Sequence, residues 1–327
     1  MILAGDIGGS NSRIGLFDPG DLRKPLIEET YPSRKHAALR EILTAFISAH
    51  ECKAQYACVG VAGPVKDGRC EATNLPWVVD ARDVAACLGL DTAWVINDLA
   101  ANAYGIASLE AKDLCTLSAG ARNASGNAAV VSAGTGLGVA GLYWDGQTHH
   151  PFSSEGGHSS FSPSDDLEIE LLVWLQDKYG HASWERVLSG PGLLNLYEFL
   201  KTSGRGEEPP WLAQEMREQD PGAVISRNAL SGRSELCAAA LDLFAVLYGS
   251  AAGDIALDLL ATSGVYLGGG IAPKNAEKMK DGAFLRSFHS KGRMSALVEA
   301  MPVHIILNQL TALLGAARCA AIRGGLL

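Results

Sequence analysis

Met1-Ile2-Leu3-Ala4-Gly5-Asp6-Ile7-Gly8-Gly9-Ser10-Asn11-Ser12-Arg13-Ile14-Gly15-Leu16-Phe17 opens the chain. An apolar run (residues 2–4) leads into a turn of Gly, Ser and Asn, and a second apolar run (residues 14–17) leads out. That is the pattern of a β-hairpin. Glycines in the turn admit positive φ and a close backbone approach, so successive N–H groups can face an anion. Asp6 stands just before the turn. A carboxylate there would repel a bare phosphate, but it suits one accompanied by hydrated Mg²⁺, which favours one or two carboxylates plus water. A plain tight hairpin, with Asp6 capping its own turn, fits the same residues.

The motif returns at residues 128–143, where an apolar run meets Gly134-Thr135-Gly136 and a second apolar run follows. Two such hairpins in one chain point to a duplicated unit, with the two turns facing each other across a cleft. The arrangement resembles the nucleotide-binding superfamily of actin, the heat-shock 70 chaperones and the sugar kinases, in which one hairpin from each half holds the ATP phosphates. Gly136, Gly138 and Gly141 also fit a G-x-G-x-x-G dinucleotide pattern. That motif should open a helix, and residues 139–144 are β-rich instead.

Composition narrows the class. The 327 residues allow two domains and a large core. With 47% hydrophobic and 19% charged residues, the chain reads as globular. A net charge of −9 without a basic cluster excludes nucleic acid and anionic membrane as expected partners. The N-terminus enters the first strand without a basic leader, and no uninterrupted apolar run approaches the ~20 residues of a membrane span. Seven scattered cysteines without a C-x-x-C pair read as reduced thiols. A cytoplasmic protein is expected.

Along the chain, residues 18–29 read as a polar connection and residues 37–50 as a helix. Residues 56–62 form a continuous apolar run, the mark of a strand buried on both faces. It ends at Gly63-Pro64-Val65, and Thr73-Asn74-Leu75-Pro76-Trp77 follows, a segment that also suits a loop with a packed Trp. Residues 93–96 form another buried strand, delivering Asn97-Asp98 at its tip before an Ala-rich helix. A carboxylate there is placed for chemistry on a bound hydroxyl, or else it caps that helix. Residues 119–127 read as the domain linker. Glu155-Gly156-Gly157-His158 can bring two polar side chains to one small ligand. A metal site is the alternative, weakened by the lack of a third ligand. Glu185-Arg186 sits beside a Gly/Pro turn, residues 201–221 read as a surface excursion, and residues 236–260 as a long helix. Residues 264–271 run as a strand into a third glycine-rich turn, and an Ala/Leu-rich helix (residues 312–322) could pack back on the N-terminal domain.

Taken in order, Gly-Asp-Ile-Gly-Gly-Ser-Asn-Ser-Arg (5–13), Ala-Gly-Pro-Val (62–65), Thr-Asn-Leu-Pro-Trp (73–77), Ile-Asn-Asp (96–98), Gly-Thr-Gly-Leu-Gly-Val-Ala (134–140), Glu-Gly-Gly-His (155–158), Glu-Arg-Val-Leu-Ser-Gly-Pro-Gly-Leu (185–193) and Leu-Gly-Gly-Gly-Ile (267–271) span nearly the whole chain. The series resembles the bacterial glucokinases, the group without the zinc-binding cysteine cluster of the repressor-related sugar kinases. Ser10 departs from that pattern, where the family usually has Thr, but keeps the hydroxyl.

The resemblance implies an α/β chain of two ribonuclease-H-like domains, the actin-like ATPase fold, with a cleft between them. The smaller domain would comprise residues 1–110 plus 310–327, the larger residues 111–309. The resemblance also implies glucose phosphorylation at O6 from ATP with Mg²⁺. Keeping water from competing for the phosphoryl group asks the domains to close over the sugar, with a hinge expected at residues 119–127 and 308–310. Asp98 would be the general base, and Asn74, Asn97, Glu155, His158 and Glu185 would bond the sugar hydroxyls. Gly5, Asp6, Ile7, Gly8, Gly9, Ser10 and Asn11, with Gly134, Thr135 and Gly136, would hold phosphates. Gly268, Gly269, Gly270 and Ile271 would back the adenosine, and Asp6 would hold Mg²⁺ through water. A homodimer is the family expectation. The rival class is a sugar-sensing regulator or an actin-like ATPase. Mannose, glucosamine or fructose as substrate, and ADP or polyphosphate as donor, stay open.

Overall fold

The computed structural model describes residues 1–327. The chain forms two compact units. The first comprises Met1–Asp113, His150–Ser153 and Asn308–Leu327, the second Leu114–His149 and Ser154–Leu307.

In the first unit, β1 (Ile2–Ile7) and β2 (Asn11–Phe17) pair antiparallel from Ile2↔Phe17 to Ile7↔Ser12, so the expected hairpin forms. β3 (Ile27–Pro32) adds to the free edge of β2. It begins inside the stretch read as a polar connection. Its residues alternate between half-covered and exposed, so Ile27 and Tyr31 are its only strong apolar signal. β4 (Tyr56–Val61) runs parallel to β1. A small antiparallel sheet of β5 (Val65–Lys66), β6 (Arg69–Glu71) and β7 (Val78–Asp80) follows. β8 (Trp94–Asn97) then lies parallel to β4, giving the order β3-β2-β1-β4-β8. Side chains of β1 alternate between two cores. Leu3 and Ile7 pack with Ile42 and Phe46, whereas Ile2 and Ala4 pack with Phe17 and Leu313. The first core is covered by α1 (Leu39–His50) and α2 (Ala81–Leu88), and the second by α3 (Asp98–Gly105) and the C-terminal helix Thr311–Arg323.

In the second unit, β9 (Leu114–Ser118), β10 (Ala128–Ala133), β11 (Leu137–Trp144), β12 (His149–Ser154), β13 (Gly264–Gly268) and β14 (Val303–Ile306) form a sheet ordered β12-β11-β10-β13-β14-β9. β10 and β11 are the second hairpin, paired from Ala128↔Leu142 to Ala133↔Leu137. β13 runs parallel to β10, and β14 to β13. Both sheets therefore carry an antiparallel hairpin followed by two parallel strands, with β9 added in the second. The duplication inferred from the turns extends to strand order.

The helices of this unit are α4 (Asp166–Tyr179), α5 (Gly190–Thr202), α6 (Pro210–Glu218), α7 (Pro221–Leu230), α8 (Glu235–Asp258), the short α9 (Ile271–Lys274) and smaller pieces after it. One expectation needs correction here. Residues 119–127 join β9 to β10 inside the second unit, tied down by the bond from Ala121 N to Ala300 O (2.7 Å), and so do not link the units. Residues 201–221 are mostly exposed, as expected of a surface excursion, but they include α6, with Leu212 fully buried, and are pinned by Tyr197 Oη donating to Glu208 (2.8 Å). The long helix expected over residues 236–260 is α8; its 24 residues are long and apolar enough to cross a membrane, though Asp242 and Asp254 interrupt the apolar run and most of the helix is buried within the protein. A helix apolar on all sides can be a core helix, and Gly249 and Gly253 of α8 press against the backbone of Phe284 and Phe288.

Candidate functional site

In the first unit the register places Ile7, Val61 and Asn97 side by side at the carboxyl ends of β1, β4 and β8. Open α/β sheets bind ligands at that edge. With neighbouring strands about 4.8 Å apart, Asp98 begins about 10 Å from the β1–β2 turn. Asn97 is the cap of α3: its Oδ1 accepts from Leu99 N (2.9 Å) and Ala100 N (3.3 Å), and its Nδ2 donates to Gly63 O (3.1 Å). Asp98 is the first helical residue, with Oδ1 accepting from Leu99 N at 3.0 Å. The cap function open to Asp98 thus falls to its neighbour, and the carboxylate sits in the positive field of the helix start. Its charge is felt at Cys70, whose thiol is pushed up first by burial and then by Asp98.

The first turn is closed by Gly8 N donating to Asn11 O (3.0 Å). A Cβ on Gly9 would lie 2.6 Å from Asn74 Cβ, so the turn can lie against Asn74 only because Gly9 has no side chain. The packed Trp expected after Asn74 is present: Trp77 is buried, with Nε1 donating to His36 O (3.2 Å). Gly5 and Ile7 lie inside β1, buried, Gly5 against Val59. Asp6 is half-buried at the strand end. Desolvation pushes its carboxyl up to about 6, with Arg13, opposite it in the register, pulling the other way.

In the second unit, Gly134 N donates to Gly136 O and Gly190 N to Gly134 O, each at 2.8 Å. Glu185 Oε2 accepts from Leu137 N (2.9 Å) and lies 2.5 Å from where a Cβ on Gly136 would stand. Glu155 and His158 flank a short helical turn whose Gly157 presses on Leu137 O, and both are exposed. His158 Nδ1 lies 4.0 Å from Glu185 Oε1. The structure therefore gathers Glu185, His158 and the second turn, with Glu155 at the start of the helical turn that carries His158. No group of three His, Cys, Asp or Glu side chains forms a metal cage.

Gly268 ends β13 opposite Ser132, and Gly269 takes φ +78° where a Cβ would strike Ala133 O. Gly270 and Ile271, with Gly134 and Thr135, line a cleft of 830 Å³ that also takes in the starts of α5 and α7. Sequence reading gave no ligand role to those starts, with Gly190, Asp220 and Gly222, nor to Arg227 in the last turn of α7 or to Lys274. Ser189-Gly190-Pro191 and Asp220-Pro221 carry the readable signal, a capping side chain followed by Pro in the first turn.

The family model described as Glucokinase matches residues 3–322. A glucokinase of Nostoc sp. (strain PCC 7120) is 40% identical, covering 98% of this chain and 99% of its own. The crystal structure of a glucokinase from an Antarctic psychrotroph superposes with TM-score 0.85 at 34% identity, over 98% of each chain. A glucokinase from Balamuthia mandrillaris, solved with glucose, shares the fold at TM-score 0.80 and 22% identity, covering 98% of this chain and 93% of its own. The architecture is the actin-like ATPase fold, and the chain belongs to the glucokinase family.

Proposed function

We propose that Asp98 is the general base of this family's reaction, the ATP-dependent phosphorylation of glucose. Its carboxylate takes the proton of the sugar's 6-hydroxyl as that oxygen attacks the terminal phosphorus. The observation that carries this reading is the shared sheet edge, where the register sets Asp98 about 10 Å from the glycine turn, room for a hydroxymethyl group between them. Phosphoryl transfer asks the protein mainly for alignment and charge stabilisation. The two glycine turns would cradle the phosphates, and the 830 Å³ cleft with Gly268, Gly269, Gly270 and Ile271 would take the adenosine.

Asn74, Asn97, Glu155, His158 and Glu185 are assigned to the remaining sugar hydroxyls. Each hydroxyl both donates and accepts, so carboxylates, amides and an imidazole suit it. Glu185 is oriented in advance by Leu137 N. Such a site disfavours epimers, because a misplaced hydroxyl leaves buried polar groups unpaired.

Mg²⁺ fits the residues present. Asp6 is a carboxylate that desolvation has driven toward neutrality, which a cation would reverse, and the lack of a three-ligand cage suits an ion held largely by water and phosphate. Asp6 would hold it through water. When bound, the ion neutralises charge on the phosphates. A cytoplasmic setting is supported by seven cysteines that are all free thiols. A homodimer rests on the family resemblance and is tested by sedimentation equilibrium.

Asp98→Asn, assayed by coupled ADP release, should lower kcat by ~10²-fold or more with a smaller effect on glucose binding. A kcat near wild type removes Asp98 as the base. The same assay across glucose, mannose, fructose, galactose and glucosamine tests the preference for glucose.

A further inference from the structure

Ser33 belongs to none of the segments assigned above, and it is fully buried. Pro32, the last residue of β3, stands opposite Asn11 in the register, which brings Ser33 beside Ser10. There it is bonded three ways. Its N–H donates to Ser10 O (2.9 Å), its Oγ donates to Gly8 O (2.7 Å), and its Oγ lies 2.9 Å from Ser12 Oγ. Since Gly8 N donates to Asn11 O, the carbonyls of Gly8, Ser10 and Asn11 are all engaged within the protein. The N–H groups of Gly9 and Ser10 donate to no backbone carbonyl.

A trans peptide plane holds its C=O and the next N–H pointing in opposite directions. Holding Gly8 O against Ser33 therefore turns the Gly9 N–H away from Ser33, and holding Ser10 O does the same for the Asn11 N–H. Glycines at 8 and 9 would otherwise let these planes rotate.

We infer that Ser33 is a positioning residue for the first phosphate turn, fixing the planes that carry the Gly9 and Asn11 N–H groups before nucleotide arrives so that these donors face the phosphates. Donors fixed in advance need no reorganisation on binding. The inference rests on the reading of that turn as a phosphate site. Ser33 lies in no motif, and only the pairing of β2 with β3 reveals it.

The test is calorimetric binding of adenosine, ADP and a non-hydrolysable ATP analogue, with glucose measured separately, on the full chain. Ser33→Ala should weaken ADP and the analogue about tenfold, the order expected for losing a buried hydrogen bond. Adenosine and glucose should stay within about twofold, since they make no phosphate contact. Ser33→Thr, which keeps the donor, should recover most of the loss. Parallel loss of adenosine, glucose and ADP would mark a merely structural residue and overturn the inference. Gly9→Ala separates the two layers. If it weakens ADP while Ser33→Ala does not, Ser33 has no positioning role. If neither variant weakens ADP, the reading of the turn fails and the inference with it. Should Ser33→Ala not fold, Ser12→Ala removes the hydroxyl that steadies Ser33. A smaller loss confined to the phosphate-bearing ligands then supports the inference, and a parallel loss or none overturns it.

Discussion

Asn97 and Asp98 are both short polar acceptors at a strand tip, and either can cap a helix. Sequence could place them there but not divide their work, because the division depends on which side chain turns back onto the backbone. In the structure Asn97 does so, through two bonds to α3 and one to Gly63. Asn97→Ala should therefore cost about 1–2 kcal/mol of stability by urea unfolding. It should also lower kcat, since it frees the segment that carries Asp98. An unchanged unfolding midpoint would show that the cap is dispensable. Asp80 caps α2 in a different electrostatic setting. Its carboxylate accepts from Arg82 N and from the Arg82 guanidinium, which holds it down at about 2, below its usual 3.8. A depressed carboxylate contributes stability above its unfolded value and loses it as pH falls toward the folded one. Asp80→Asn keeps the capping oxygen and removes the titration. Wild type should exceed this variant in urea midpoint at pH 5, and the gap should narrow between pH 4 and pH 2. A gap independent of pH would mean that the Arg82 pairing contributes nothing.

Helix α3 carries the candidate base at its first residue, so whatever seats α3 seats the base. The C-terminal helix does this through glycine. A Cβ on Gly315 would strike Ala101 O and come within 2.6 Å of Gly105 N, and one on Gly105 would strike Thr311 O. In sequence these glycines read as weak points in helices, costing ~1 kcal/mol each against Ala. Their partner faces lie some two hundred residues apart and are invisible to local pattern. Gly315→Ala gains helix propensity and still should lose stability, because overpacking costs about 1–3 kcal/mol and the obstacle is backbone. Its kcat should fall further than its glucose affinity, through displacement of Asp98. Raised stability in thermal unfolding would show that the two helices can part without penalty.

At the scale of the whole chain, the duplicated hairpin was legible because glycine turns between apolar runs are local signals, and the repeated strand order follows from them. Asp98 at its strand tip and the Glu155–His158 pair were legible as groups able to reach a small polar ligand, but their assignment to a sugar, and any role for Glu185, came only with the family resemblance, since no spacing within 155–158 or near Glu185 announces a sugar. What stayed hidden was set by distant contacts: β3 on the edge of β2, Ser33 under the first turn, and α6 held through Leu212 and Glu208. The nucleotide reading divides along the same line. All residues lining the 830 Å³ cleft belong to the second unit, whereas the first glycine turn belongs to the first. Adenosine, lacking phosphates, should therefore slow hydrogen exchange at residues 134–135, 190–194, 220–230 and 270–275 and leave residues 8–11 at their free rate. ADP should add protection at residues 8–11, because that turn offers the Gly9 and Ser10 N–H groups to phosphate alone. Adenosine protection at residues 8–11, or none at the starts of α5 and α7, would show that the nucleoside binds elsewhere. Phosphate and base would then have to be reassigned together, since both assignments use Gly134 and Thr135 at the mouth of the cleft.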